Sequence, residues 1–196
     1  MSLTQVATNI LSAPFPLNIL QEIIMSISLY DAVVGTYQQI IPALEGVLEK
    51  GKAHCEEQGI ALDDVVESKL IGDMLPFRFQ VVSVAHHSMN ALKGAQEGLF
   101  GPPKMANEDY GQLQQLLSEA RESISAYSAD DVNALVGKEM EFRMGSLSMP
   151  FTAENFLLSF SLPNFYFHAA TAYDLLRQKG VQIGKQDFLG RVRVKR

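Results

Sequence analysis

Few side chains in this sequence combine a reactive type with a telling spacing. The main instance is Leu162-Pro-Asn-Phe-Tyr-Phe-His168, where Asn164 and His168 stand four apart. On a helix that spacing puts both on one face, with Cβ atoms about 5–6 Å apart. Leu157 and Phe160 continue the face on one side, Thr171 and Leu175 on the other, so both polar groups point into a helical interior. A buried polar group left unpaired costs about 1–3 kcal/mol. Each therefore needs a metal, a ligand or another side chain. His86 and His87 are adjacent, and neighbours on a helix are turned about 100° apart, so only one of them can face the same axis. One of these histidines with His168 and Asn164 supplies two imidazole nitrogens and an amide oxygen. Three protein ligands and an open position match a zinc-type or nickel-type site, and the cofactor expected on that reading is a divalent metal, Zn or Ni. The spacing also suits a histidine hydrogen-bonded inside the fold, or one that anchors a ligand or moves a proton. Gln80 faces near the same axis and is placed to hydrogen-bond His168 or a substrate, or to serve as a structural amide.

Other candidates point away from chemistry. Asp73, just before Pro76, reads as a helix cap or as a carboxylate behind a histidine. The row Phe156, Phe160, Phe165, Tyr166, Phe167 reads as core. Cys55 is followed by Glu56 and Glu57, which disfavour a thiolate. The glycines between Gly180 and Gly190 lack phosphate-loop spacing.

The elements that must carry these residues are mostly helical. Helical spacing runs from about Asp31 to Lys50, with a Ser28 cap, Pro42 inside as a kink and Gly51 as the stop. A second helix begins at Pro76 and runs to about Leu99. A third runs from an Asn107 cap to about Tyr127, and a fourth from a Thr152 cap to about Lys179, broken or kinked at Pro163 and ended by Gly180. Residues 60–72 suggest a short helix or turn. Between the third and fourth, Met140, Phe142 and Met144 alternate, as do Leu147, Met149 and Phe151. Gly145-Ser146 suits a type II′ turn that pairs Met144 with Leu147, Phe142 with Met149 and Met140 with Phe151. The fold class is all-α, an antiparallel four-helix bundle with a small β-hairpin near 139–151. Residues 1–24, broken at Pro14 and Pro16, read as an N-terminal arm, residues 25–190 as the bundle, and 191–196 as a basic tail.

Composition bounds the function. With 196 residues, 47% hydrophobic and 19% charged, the chain is a globular domain rather than a disordered one. The net charge is −6, and −10 without the four cations of the last six residues (12 − 22). An acidic body argues against nucleic acid as a partner. One cysteine, no span of about 18 apolar residues and no cationic leader point to a cytoplasmic protein without a membrane partner.

Six stretches together resemble one family. They are Met25-Ser-Ile-Ser-Leu-Tyr-Asp-Ala32, Asp73-Met-Leu-Pro-Phe-Arg-Phe-Gln80, Ser83-Val-Ala-His-His-Ser88, Phe151-Thr-Ala-Glu-Asn-Phe156, Leu162-Pro-Asn-Phe-Tyr-Phe-His168 and Gly184-Lys-Gln-Asp-Phe-Leu-Gly190. In order, they are similar to the domain of unknown function 1993 family, whose fold resembles the DinB/YfiT-like bundles. The resemblance spans Met25 to about Gly190. It implies an up-and-down-type four-helix bundle with a small β element. DinB-like relatives often hold a divalent metal with one histidine from the second helix and two, four apart, on the last. Here that last pair is Asn164 and His168, so one ligand is replaced, while His86 or His87 stands on the second helix. The resemblance also implies a homodimer and, through transferases and hydrolases of the wider superfamily, a small-molecule ligand. Two functions follow as expectations: a DinB-like protein with a small-molecule or degenerate metal site at Gln80, His86, His87, Asn164 and His168, or a non-catalytic oligomeric binding or scaffold protein with a structural polar interior.

Overall fold

The computed structural model describes residues 27–104 and 106–195. The expected 1–24 arm and the terminal Arg196 lie outside the described residues. Helix α1 spans Leu29–Gln58, and its Ser28 cap accepts the Asp31 N–H at 3.1 Å as the sequence suggests. Gly51 does not end it. The stop is Gly59, at φ 66, whose N–H reaches the Cys55 carbonyl. Gly51 is instead a contact site, because a Cβ there would lie 2.6 Å from the Tyr110 hydroxyl. Close approach and helix termination both favour glycine, and only the neighbour tells them apart.

The short α2 (Leu62–Val66) carries Asp63 and Asp64 in its first turn. Pro76 caps α3 (Phe77–Ala85), which passes through a π turn, His86–Asn90, into α4 (Ala91–Glu97). Helix α5 (Tyr110–Ser125) starts at Asp109 rather than Asn107, since Asp109 and Gln112 cap each other's backbone N–H at 2.8 Å. Removing that box with Asp109→Ala is expected to cost about 1 kcal/mol in urea unfolding. A short α6 (Ala129–Asn133) follows.

Strands β2 (Glu139–Met144) and β3 (Leu147–Thr152) pair in the expected register, Met144 with Leu147, Phe142 with Met149, Met140 with Phe151. Gly145 has φ 59 and, among the described residues, no non-glycine residue has positive φ, which fits a II′ turn rather than I′. A third strand, β1 (Leu99–Phe100), lies parallel to β2. Two residues are too few to leave a period in the sequence. Met140 and Phe142 are buried, whereas Met144 and Leu147 at the hairpin tip are exposed. The expected fourth helix divides. Thr152 makes no side-chain cap bond, α7 covers only Ala153–Asn155, a π turn covers Phe156–Ser161, and α8 runs Leu162–Gln178 with Pro163 in its first turn. Proline removes a donor and clashes with the carbonyl four back, so the wide turn sits where the ladder must loosen. The glycine-bounded segment forms α9 (Lys185–Leu189).

The long helices form the expected four-helix bundle, but not in up-and-down order, since the consecutive α3 and α5 run the same way. Tyr110 at the start of α5 bonds Leu48, and Arg121 further along α5 pairs with Glu45, so α5 is antiparallel to α1. Gln80 meets His168 and His87 meets Ser161, so α3 and α8 are antiparallel. Tyr37 packs on Phe165, while Gly51 meets Leu176, so α1 and α8 run parallel. The connection at 101–109 carries the chain back to the end where α3 began, a direction that helix periodicity does not encode.

Candidate functional site

Helix α3 and its π turn face α8 across the site. On α8, His168 is almost fully buried, and its Nδ1 lies 2.8 Å from Gln80 Oε1. Gln80 Nε2 donates to the Leu75 carbonyl at 2.8 Å, which fixes the amide and leaves Oε1 as an acceptor. His168 therefore carries its proton on Nδ1, and its Nε2 has a free lone pair. His87, buried on the π turn, repeats the pattern. Ser161 Oγ donates to the His87 carbonyl at 2.9 Å, so toward His87 Nδ1, at 3.4 Å, it acts as acceptor. The two rings are nearly parallel, 16° apart, with centroids separated by 6.1 Å.

Burial holds both imidazoles uncharged. It pushes the pKa of His87 down to about 3, with His86 and His168 adding repulsion, and that of His168 down to about 4. Phe79 and Phe167 flank His168, and Phe100 and Phe160 flank His87. Tyr37 approaches Ser161 from α1 without reaching hydrogen-bond geometry. Its buried hydroxyl has no partner among the described residues, and burial raises its pKa.

Of the five residues singled out from the sequence, Gln80, His87 and His168 come together. His86 turns away, as the 100° step requires. Its Nε2–H donates to the Gly101 carbonyl at 2.6 Å and its Nδ1 accepts from Asn90 at 3.1 Å, so both nitrogens are committed. It ties the returning connection to the bundle and lines a separate cavity of about 530 Å³ with Phe100, Lys93 and Glu108. Asn164 is half-buried, and its Nδ2 donates to the Phe160 carbonyl at 2.7 Å, which leaves Oδ1 as its free end. Asp73 is exposed and neither caps α3 nor meets a histidine. Tyr166 and Phe167, read as core, are exposed on the outer side of α8.

Sequence reasoning did not single out Ser161 or the Tyr37 hydroxyl. Ser161 precedes His168 by seven residues, and that two-turn spacing places it on the same face. Among the described residues, no group of three or more His, Cys, Asp or Glu side chains is placed to hold a metal ion, and no helix is long and apolar enough to cross a membrane.

The family model described as domain of unknown function 1993 matches residues 29–189. A crystal structure of a DinB family member protein from Shewanella denitrificans is similar in fold, with a TM-score of 0.70 and 24% identity. The similarity covers 86% of this chain and 95% of that one. No curated protein matches the chain.

Proposed function

The chain belongs to the domain of unknown function 1993 family, and we propose that its bundle interior is a divalent-metal site serving a small-molecule ligand. His87 and His168 are the principal ligands, with Asn164 in the third place. The carrying observation is the commitment of both Nδ1–H groups, to Ser161 and to Gln80, which leaves two neutral Nε2 lone pairs. Metal-bound histidines are commonly held in this way, by a second partner that fixes the tautomer. Asn164 supports the reading because its amide nitrogen is already used and its oxygen is free. His86, with both nitrogens committed, is the structural member of the histidine pair. When bound, zinc or nickel would act as a Lewis acid toward the ligand. Without a proton on Nε2 at neutral pH, neither imidazole is a general acid. The alternative, a non-catalytic binding or scaffold protein, is favoured by Gln80, whose amide uses both ends inside the protein. Under either reading we place the protein in the cytoplasm as a homodimer.

Metal analysis and calorimetric titration of untagged protein with Zn²⁺ or Ni²⁺ test the site. Binding near one ion per chain is expected, lost in His87→Ala and His168→Ala. Asn164→His, which restores a third imidazole, should tighten binding by about tenfold or more. No stoichiometric metal together with no thermal shift in excess Zn²⁺ or Ni²⁺ would rule the metal out.

A further inference from the structure

Beside the histidine pair lies an apolar surface that the interior site does not use. Tyr166 and Phe167 stand on the outer side of α8, Phe167 being 56% exposed and edge-on to His168. Leu158, 42% exposed, extends this side toward the start of α8. From the loop before α3 come Leu70, Ile71 and Leu75, with exposures of 46%, 63% and 49%. The loop and the helix are joined through Gln80, which bonds both the Leu75 carbonyl and His168. Through Gln80 and His168 the exposed Leu75 and Phe167 stand near one another, while Tyr166 and Leu158 carry the apolar exposure around outer α8, and exposed apolar side chains in such number are normally covered.

The chain supplies a matching segment. Of residues 1–26, fourteen are hydrophobic, with Leu17, Ile19, Leu20, Ile23 and Ile24 close together, and Glu22 is the one charged residue. Such a composition is poorly suited to lie in water. Its tether is in the right place. The chain enters α1 at Leu29, and Tyr37, two turns later, packs on Phe165 in the first turn of α8. The 17 residues of α8 rise about 25 Å, and 26 residues can extend to roughly 85 Å. The segment can therefore reach from the start of α1, along α8, to Leu75. We propose that residues 1–26 dock through their apolar side chains on the surface formed by outer α8 and the loop before α3. Docking there leaves other helix faces for a second copy, and it does not depend on a metal being bound.

Phe167→Cys in the full chain provides the test, because the native Cys55 is buried and so adds little background. Phe167 is exposed, so the variant should fold. Its rate of modification by a thiol reagent is measured with the native segment and with Leu17→Asp, Leu20→Asp and Ile24→Asp combined. Docking predicts modification slowed by roughly tenfold or more with the native segment, released by the three charges, and independent of protein concentration. Three results overturn the proposal. One is fast modification in both chains. Another is slow modification in both. The third is protection that rises with concentration alongside dimer formation in light scattering, which would assign the surface to a second copy.

Discussion

Acidification from pH 7 to pH 5 is expected to remove about 2–4 kcal/mol of stability, well before most carboxylates titrate. An unfolded histidine takes a proton near pH 6.5. In the folded protein burial holds His87 at about 3 and His168 at about 4. Between these limits the unfolded chain binds more protons than the folded one, so stability falls as pH falls. Each unit of pH below 6.5 costs roughly 1.4 kcal/mol per such group. Two groups over one and a half units give an upper bound of about 4 kcal/mol. His86, also lowered by burial, acts in the same direction. The lowered pKa values of Asp131, Glu141, Glu154 and Asp187 contribute stability that is lost as pH falls from the ordinary carboxylate range toward the lowered values, mostly below the histidine window. For a chain of this size the loss should lower Tm by about 5–15 °C. Calorimetry at pH 7, 6 and 5 with chelator present reads it directly. A double His87→Gln, His168→Gln variant should flatten the dependence over this range. A wild-type Tm that stays level from pH 7 to 5 would mean that the two imidazoles are not held neutral by burial.

The inward face of α8 was legible because helical spacing is periodic. Four residues separate Asn164 from His168, and both lie on the predicted helix. The Gln80–His168 contact and the choice of one histidine from an adjacent pair followed from the same geometry. The hairpin register was legible because a two-residue turn and period-two alternation leave one alignment that puts all six apolar residues together. The rest lacked a local signal. Asn107 and Asp109 are both good caps, and only Gln112 answering Asp109 decides between them. The π turns carry no compositional mark beyond Pro163, yet the one at His86–Asn90 sets how His87 meets Ser161. Asn164 has the spacing of an interior residue, but a short amide can bond its own helix, and it does so at Phe160. Tyr37 reads as a core aromatic from its spacing. What its hydroxyl faces depends on α8, more than a hundred residues further on.

Gly51→Ala is expected to destabilise the protein by about 2–4 kcal/mol, although alanine is the better helix former by about 1 kcal/mol. The sign is decided by what stands beside α1. A Cβ at position 51 would lie 2.6 Å from the Tyr110 hydroxyl and 3.0 and 3.1 Å from the two Leu176 methyls. Tyr110 cannot swing aside cheaply. It is buried, stacks on Phe77 at 5.8 Å, and donates to the Leu48 carbonyl at 2.7 Å. Moving it breaks that bond and strands a buried hydroxyl, about 1–3 kcal/mol. Overpacking against Leu176 adds about 1–3 kcal/mol. These costs together exceed the propensity gain. Tyr110→Phe alone removes the bond and should cost about 1 kcal/mol. It also removes the atom nearest the new methyl. The double variant Gly51→Ala, Tyr110→Phe is therefore expected to be more stable than the sum of the singles by at least about 1 kcal/mol. Urea unfolding of the four proteins measures the cycle. If Gly51→Ala proved stabilising, glycine would be present at this position for no reason of packing. If the two changes simply added, the contact with the Tyr110 hydroxyl would not be the cause of the cost.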